Sequence, residues 1–426
     1  MGILGFLAVL WTSPALAQQP LPPEVDQAKV ESAIQKGVAF LRTTIPNIRS
    51  TTQAGRTVYR WDLVLWTFIH AGIPESDPDF QKLFKDMLER NLETTYNVSL
   101  QAMILEELDR VNHQRRIWQC AQFLVDNQCQ NGQWSYGDPT AFADDVPSTA
   151  PARKSVATGG GDVKDGKTIA PLPPGVRVKP PVKNRLKVEK KRDGPSTGDN
   201  SNSQYAALGM RACHDAGILL PPAVADRAIA CFRSLQKPSE GPAIRLEMKD
   251  GADGGKGRSS VMEAFAAAPQ GWCYDSKEDH KPYGTMTAGV AGSLAIWLYV
   301  KDNDAGKRKS WRRDLDVLEG VAWLARNFSV TFEPGLNEHS KEENGQSWYY
   351  FYYLYALERM GLLYGTEWIG THKWYPEGAK VLVETQNEDG SWGKDATFYN
   401  ACFAVLFLKR ATRPLDVASV DNTHRK

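Results

Sequence analysis

The chain has no apolar run of the ~18–20 residues that a membrane-spanning helix needs, so a multispan membrane protein is excluded. It has almost no excess of charge: 51 Lys and Arg stand against 50 Asp and Glu, a net of +1. That gives no general case for nucleic-acid binding. Cysteine is scarce, with six in 426 residues, and no two are spaced Cys-x-x-Cys. A zinc ribbon, a redox motif and a disulfide framework are therefore not indicated. Cys213, Cys231 and Cys402 sit in apolar helical patterns, where a free buried thiol is the commoner state. His70, His113, His214, His339 and His372 are scattered and form no metal-ligand pattern, so neither a metal nor a cofactor is expected. Aromatics are plentiful instead. The 13 Trp, 15 Tyr and 15 Phe are far too many for a solvated coil.

The N-terminus reads as an export signal, residues 1–17. An apolar stretch from Ile3 to Trp11 leads to Ala15-Leu16-Ala17, a small-x-small cleavage pattern, although no Lys or Arg precedes the stretch. Residues 18–25 form a polar lead-in. The expected location is secreted or periplasmic.

Beyond it the sequence repeats. Lys36-Gly37-Val38-Ala39-Phe40-Leu41, Glu319-Gly320-Val321-Ala322-Trp323-Leu324 and Glu377-Gly378-Ala379-Lys380-Val381-Leu382 share one pattern. Phe123-Leu124 ends a similar helix; Gln128-x3-Gly132-x-Trp134 follows four residues after Leu124, Gln386-x3-Gly390-x-Trp392 four residues after Leu382, and Gln236 with Gly271-Trp272 makes a degenerate third copy. The glutamine amide at a helix end can satisfy carbonyls that lack partners. Glycine turns the chain, and tryptophan folds back on the helix end.

Six segments are apolar on all sides: 59–71, 95–108, 203–216, 283–300, 346–360 and 396–411. Six partners are amphipathic: 26–43, 77–92, 111–128, 221–236, 311–327 and 374–386. The difference separates buried inner helices from half-exposed outer ones. The fold class predicted is all-α, an (α/α)6 toroid of six outer/inner hairpins spanning residues 26–412. Long outer-to-inner insertions at 138–200, 237–282 and 329–345 would gather on one face. The first is Pro/Gly/Lys-rich and expected to be flexible. Within it, Val176–Lys179 and Leu186–Glu189 alternate as a small hairpin would. Residues 413–426 read as a disordered tail.

The Gln-x3-Gly-x-Trp units resemble the QW repeats of squalene and hopene cyclases. The six-hairpin order is similar to the toroid of terpenoid cyclases and protein prenyltransferase β-subunits. The resemblance runs from about residue 26 to 411, apart from the insertions. It implies the fold and does not carry over a catalytic centre. The cyclase Asp-x-Asp-Asp acid is missing, and Asp144-Asp145-Val146-Pro147-Ser148 lacks the last carboxylate of a diphosphate-binding Asp-Asp-x-x-Asp. Phe398-Tyr399-Asn400 has Asn where prenyltransferases place a zinc-ligating His. No Asp-x-Cys and no thioester Cys-Gly-Glu-Gln occurs.

The starts of the inner helices should line the mouth of a cavity. Tyr59, Tyr96, Asn97, Tyr205, Tyr283, Trp348, Tyr349, Tyr399 and Asn400 would give a polar-rimmed aromatic pocket, although the same residue types also serve as caps and core. The string Trp348–Tyr355 offers ring faces that stabilise cations or stack on sugars. Candidate catalytic groups are Asp62, as a substituted acid at an inner-helix start, and Asp275, Asp279 and His280 in a lid loop. Residues 177–192 are basic and would suit peripheral contact with an anionic surface. Asn97 and Asn327 begin glycosylation sequons. The function these features favour is an exported binding or scaffold protein for an apolar, isoprenoid-like ligand or a protein partner. The alternative is an enzyme on the same ring, a terpenoid cyclase-like isomerase or a polysaccharide lyase or hydrolase.

Overall fold

A computed structural model describes residues 25–53, 55–139, 179–249, 262–276, 280–304, 310–336, 349–395 and 397–415. Twelve α-helices dominate among them. The odd-numbered ones are α1 (Gln27–Thr44), α3 (Pro78–Glu89), α5 (Gln114–Asp126), α7 (Pro222–Ser234), α9 (Leu315–Arg326) and α11 (Trp374–Glu384). The even-numbered ones are α2 (Trp61–Ala71), α4 (Thr95–Asp109), α6 (Asn200–Asp215), α8 (Gly284–Asp304), α10 (Tyr350–Tyr364) and α12 (Phe398–Lys409). The fold is all-α, with only short strands added.

Start signals in the sequence act locally. Asp26, Asp77, Asp199, Asp314 and Thr397 cap α1, α3, α6, α9 and α12, each side chain accepting from first-turn amides. Gly72 and Gly365 end α2 and α10 in the left-handed conformation.

Burial follows the apolar pattern. Every residue of α6 is buried, whereas α3 buries only Phe80, Leu83 and Met87. The even-numbered helices touch in cyclic order: α2 meets α4, then α6, α8, α10 and α12 follow, and α12 packs back against α2. α1, α5, α7 and α11 lie against α2, α6, α8 and α12, the even-numbered helices that follow them, whereas α3 and α9 lie chiefly against the preceding α2 and α8.

The repeated turn locks these layers. Trp134 Nε1 donates to Leu124 O at 2.7 Å, Trp272 Nε1 to Phe232 O at 2.7 Å and Trp392 Nε1 to Leu382 O at 2.8 Å. The glutamines do something the helix-end reading did not foresee. Each reaches a carbonyl on the next odd-numbered helix: Gln128 to Val224 O (2.9 Å), Gln236 to Asp316 O (2.9 Å) and Gln386 to Ala33 O (2.9 Å). The last of these ties α11 to α1.

The turn glycines show why no side chain serves there. Gly132 and Gly390 have φ of 101° and 88°, a region costly for other residues. A Cβ on Gly390 would stand 2.3 Å from Lys36 O, and one on Gly132 would stand 2.4 Å from Arg227 O. Both obstacles are backbone of an odd-numbered helix, α1 and α7. Gly390→Ala should therefore cost about 2 kcal/mol or more, read as a lower urea midpoint. An unchanged midpoint would show that the α11–α1 contact is slack.

One expectation is corrected. Leu186–Lys187 pairs in parallel with Ile218–Leu219 rather than with a hairpin partner. Residues 140–178, with Asp144, Asp145 and Val176, lie outside the described residues, as does 1–17. Nor is the basic segment a bare surface. Lys179 is buried against Glu107 (2.6 Å), and Lys190 Nζ caps Val125 O at 2.7 Å. Trp118 and Gln122 of α5 donate to the Lys187 and Glu189 carbonyls. The stretch from Lys179 to Asp193 is thus a strap over α5, with Lys183, Arg185, Lys187, Lys191 and Arg192 left exposed.

The largest ladder, Ile244–Lys249 with Met262–Ala267, lies in the second insertion and packs on α9. All six cysteines are buried and free.

Candidate functional site, a tyrosine-walled cavity

Each repeated turn is tied to the next even-numbered helix by a hydrogen bond to its tryptophan carbonyl. Asp199 N donates to Trp134 O (3.0 Å), Tyr283 N to Trp272 O (3.1 Å) and Asn400 Nδ2 to Trp392 O (3.1 Å). This places the first turns of those helices side by side at one end. A cavity of about 760 Å³ opens between them.

All six even-numbered helices supply its wall from their starts. Tyr59 and Arg60 precede α2, and Tyr96 and Asn97 open α4. Ser201 and Tyr205 come from α6, and Tyr283, Thr285 and Met286 from the start of α8. Tyr349, Phe351 and Tyr352 come from the start of α10, and Tyr399, Asn400 and Phe403 from α12. Trp348 lies outside the described residues. Tyr349 is 63% exposed and marks the mouth.

The wall also holds Tyr136 and Tyr274, which the sequence reading did not assign to it. A signal for them exists: each follows a turn tryptophan by two residues, as Trp134-Ser135-Tyr136 and Trp272-Cys273-Tyr274.

A row of hydroxyls runs across one side. Tyr96 donates to Ser201 Oγ at 2.9 Å, and Ser201 Oγ lies 3.2 Å from the Tyr352 hydroxyl. Burial pushes the Tyr96 and Tyr352 phenols above their usual range. They therefore stay neutral and act as donors at physiological pH.

Below Tyr205 and Tyr352 lies Arg359, 2% exposed. Its guanidinium is 4.4 Å from the Tyr355 ring centroid and 5.6 Å from those of Tyr205 and Tyr352. Its Nη2 donates to Gln204 Oε1 at 2.6 Å. It belongs to the same aromatic helix as Tyr352, two turns further in, and the sequence reading passed over it.

Asp62 is not on this wall. It is fully buried behind it, bonded by the Arg90 guanidinium and by Asn97 Nδ2 at 2.6 Å. Burial raises its carboxyl, while Arg90 and Asn97 pull the other way. Asn97 also accepts from Tyr59 N and Thr94 Oγ1 and donates to Tyr59 O. The group picked as a substituted acid is a structural tie between α2, α3 and α4. The same network leaves the Asn97 sequon no free amide in the folded chain. Asn327 caps α9, its Nδ2 donating to Trp323 O.

Asp275 and His280 form a close pair, Nδ1 to Oδ1 2.8 Å, but neither lines the cavity. Asp279 lies outside the described residues. Among the described residues no group of three or more His, Cys, Asp or Glu is placed to hold a metal. No described helix is long and apolar enough to cross a membrane.

No family model matches the chain, and no curated sequence does. Among solved structures, the apo form of a type II terpene cyclase from Scytonema is similar. The match covers 92% of this chain and 99% of that one, with a TM-score of 0.41 and 12% identity. The likeness is one of fold at most.

Proposed function

We propose that the chain is an (α/α)6 toroid, exported through residues 1–17, that works as a binding protein. Its cavity at the even-helix starts would hold one small, largely apolar molecule. The observation that carries the reading is the wall itself. Tyrosine and phenylalanine rings from every even-numbered helix enclose a volume within the range of small-molecule sites, while the best carboxylate candidate, Asp62, is spent on Arg90 behind the wall. A catalytic role would need a group that touches the bound molecule. Asp395, exposed at the rim, is the one carboxylate on the wall among the described residues.

The test is ligand loading. An organic extract of the purified protein would be analysed by mass spectrometry, and 1-pyrenebutanol would be titrated in. Met286 is buried on the wall, so Met286→Trp fills the cavity. We expect one molecule per chain, and about tenfold or more weaker binding in the variant with unchanged circular dichroism. A protein that takes up nothing, or a variant that binds as the parent does, would end the reading.

A further inference from the structure

Four of the wall tyrosines already have a guanidinium against their rings. Arg60 stands 5.6 Å from the Tyr399 centroid, Arg90 stands 4.0 Å from that of Tyr59, and Arg359 stands 5.6 Å from both Tyr205 and Tyr352. A π face engaged by the protein's own cation is not free for a ligand cation on that side. The charge behind it also repels one.

The three arginines differ in how far they are neutralised. Arg90 is paired with Asp62 and Asp86. Arg359 meets the neutral amide of Gln204, while its sequence neighbour Glu358 gives both oxygens to Thr412. Arg60 is half-buried on the wall and spends its Nε on Thr51 Oγ1 at 3.2 Å. Among the described residues neither Arg60 nor Arg359 has an ion-pair partner.

The phenols point the same way. Tyrosines away from the cavity give their hydroxyls to carbonyls: Tyr350 to Val330 at 2.6 Å and Tyr353 to Ser329 at 2.8 Å. The hydroxyls of Tyr59, Tyr283 and Tyr399 have no such acceptor among the described residues. A hydrocarbon that filled the site would dehydrate three phenols and a guanidinium without replacing their bonds, at a cost that counts against it.

We propose that the cavity takes an organic anion: a molecule whose carboxylate meets Arg60, with a ring-bearing body stacked among the tyrosines and its other oxygens accepting from their hydroxyls. This rests on the binding reading above and adds the charge and the head group.

Three probes with one body separate the two. 1-Pyrenebutyrate, 1-pyrenebutanol and 4-(1-pyrenyl)butyltrimethylammonium would be titrated by fluorescence against the full chain. The acid should bind about tenfold more tightly than the alcohol, and the ammonium most weakly. Added salt should erode the acid's advantage. Arg60→Gln should bring the ratio of acid to alcohol affinity close to one, and Arg60→Lys should restore part of it. Equal affinities, a preference for the ammonium, or an acid preference that survives Arg60→Gln each overturn the proposal. Binding of the alcohol without an acid preference leaves the binding reading standing. Failure of all three probes removes both.

Discussion

Trp392→Ala is expected to lower stability by about 3–5 kcal/mol, seen as a large drop in the urea midpoint. The indole is fully buried, so its removal leaves a cavity that the helices around it cannot close. It also strips Leu382 O of its donor, the indole N–H at 2.8 Å. The ring lies against Gly37 of α1, where a Cβ would come within 2.8 Å of it. The loss therefore falls on the contact between the last and first hairpins. Trp134→Ala should behave alike, since that indole is stacked on Trp297 at 5.7 Å and bonded to Leu124 O. Trp61→Ala, at a half-buried ring, is the control and should cost far less. A Trp392 variant within about 1 kcal/mol of the parent would refute the account of the repeat as a structural lock.

The second large effect is a pH dependence from Glu358. This carboxyl is fully buried on α10, accepting from Thr412 N at 2.9 Å and Thr412 Oγ1 at 2.8 Å. Burial pushes it up to about 8 from an ordinary 4.5, against the opposing pull of those bonds and of Arg359 and Arg410. Below about pH 4.5 folded and unfolded chains both hold the proton, and the group's stabilising contribution is complete. As pH rises, the unfolded chain releases the proton first, so stability falls until the folded carboxyl also ionises near pH 8. Each pH unit in that window is worth about 1.4 kcal/mol, for a total on the order of a few kcal/mol. Glu358→Gln keeps an acceptor for Thr412 N and has no proton to lose. It should match the parent near pH 4.5 and exceed it at pH 8. Thermal midpoints of both proteins across that range give the comparison, and other titrating groups cancel in the difference. A difference that does not change with pH would rule out a buried neutral Glu358.

The periodic features were legible because they are local. All-round apolar segments against amphipathic ones separate α4 and α6 from α3 without any tertiary information. The turn residues Gln386, Gly390 and Trp392 carry their spacing in the chain. Tyr96, Tyr283 and Tyr399 could be placed at one end because each opens an even-numbered helix. What escaped depends on partners distant in sequence. Asp62 looks like a pocket acid until Arg90, on another helix, is brought beside it. Arg359 looks like a surface charge until three tyrosines from two helices enclose it. Leu186–Lys187 has the alternation of a hairpin strand, yet its partner is Ile218–Leu219 across α6. Patterning tells which face of an element is buried, not which neighbour covers it.

The bond from Gln386 to Ala33 spans 353 residues. It sets a clock on synthesis. At ~5–20 residues per second, the flank of α1 that receives α11 waits roughly 18–70 s after its own emergence before its partner exists. The corresponding bonds of the other two turns, Gln128 to Val224 and Gln236 to Asp316, span 96 and 80 residues. The nascent chain therefore carries one unpaired apolar edge for nearly its whole translation, and the last hairpin acts as the clasp that ends this exposure.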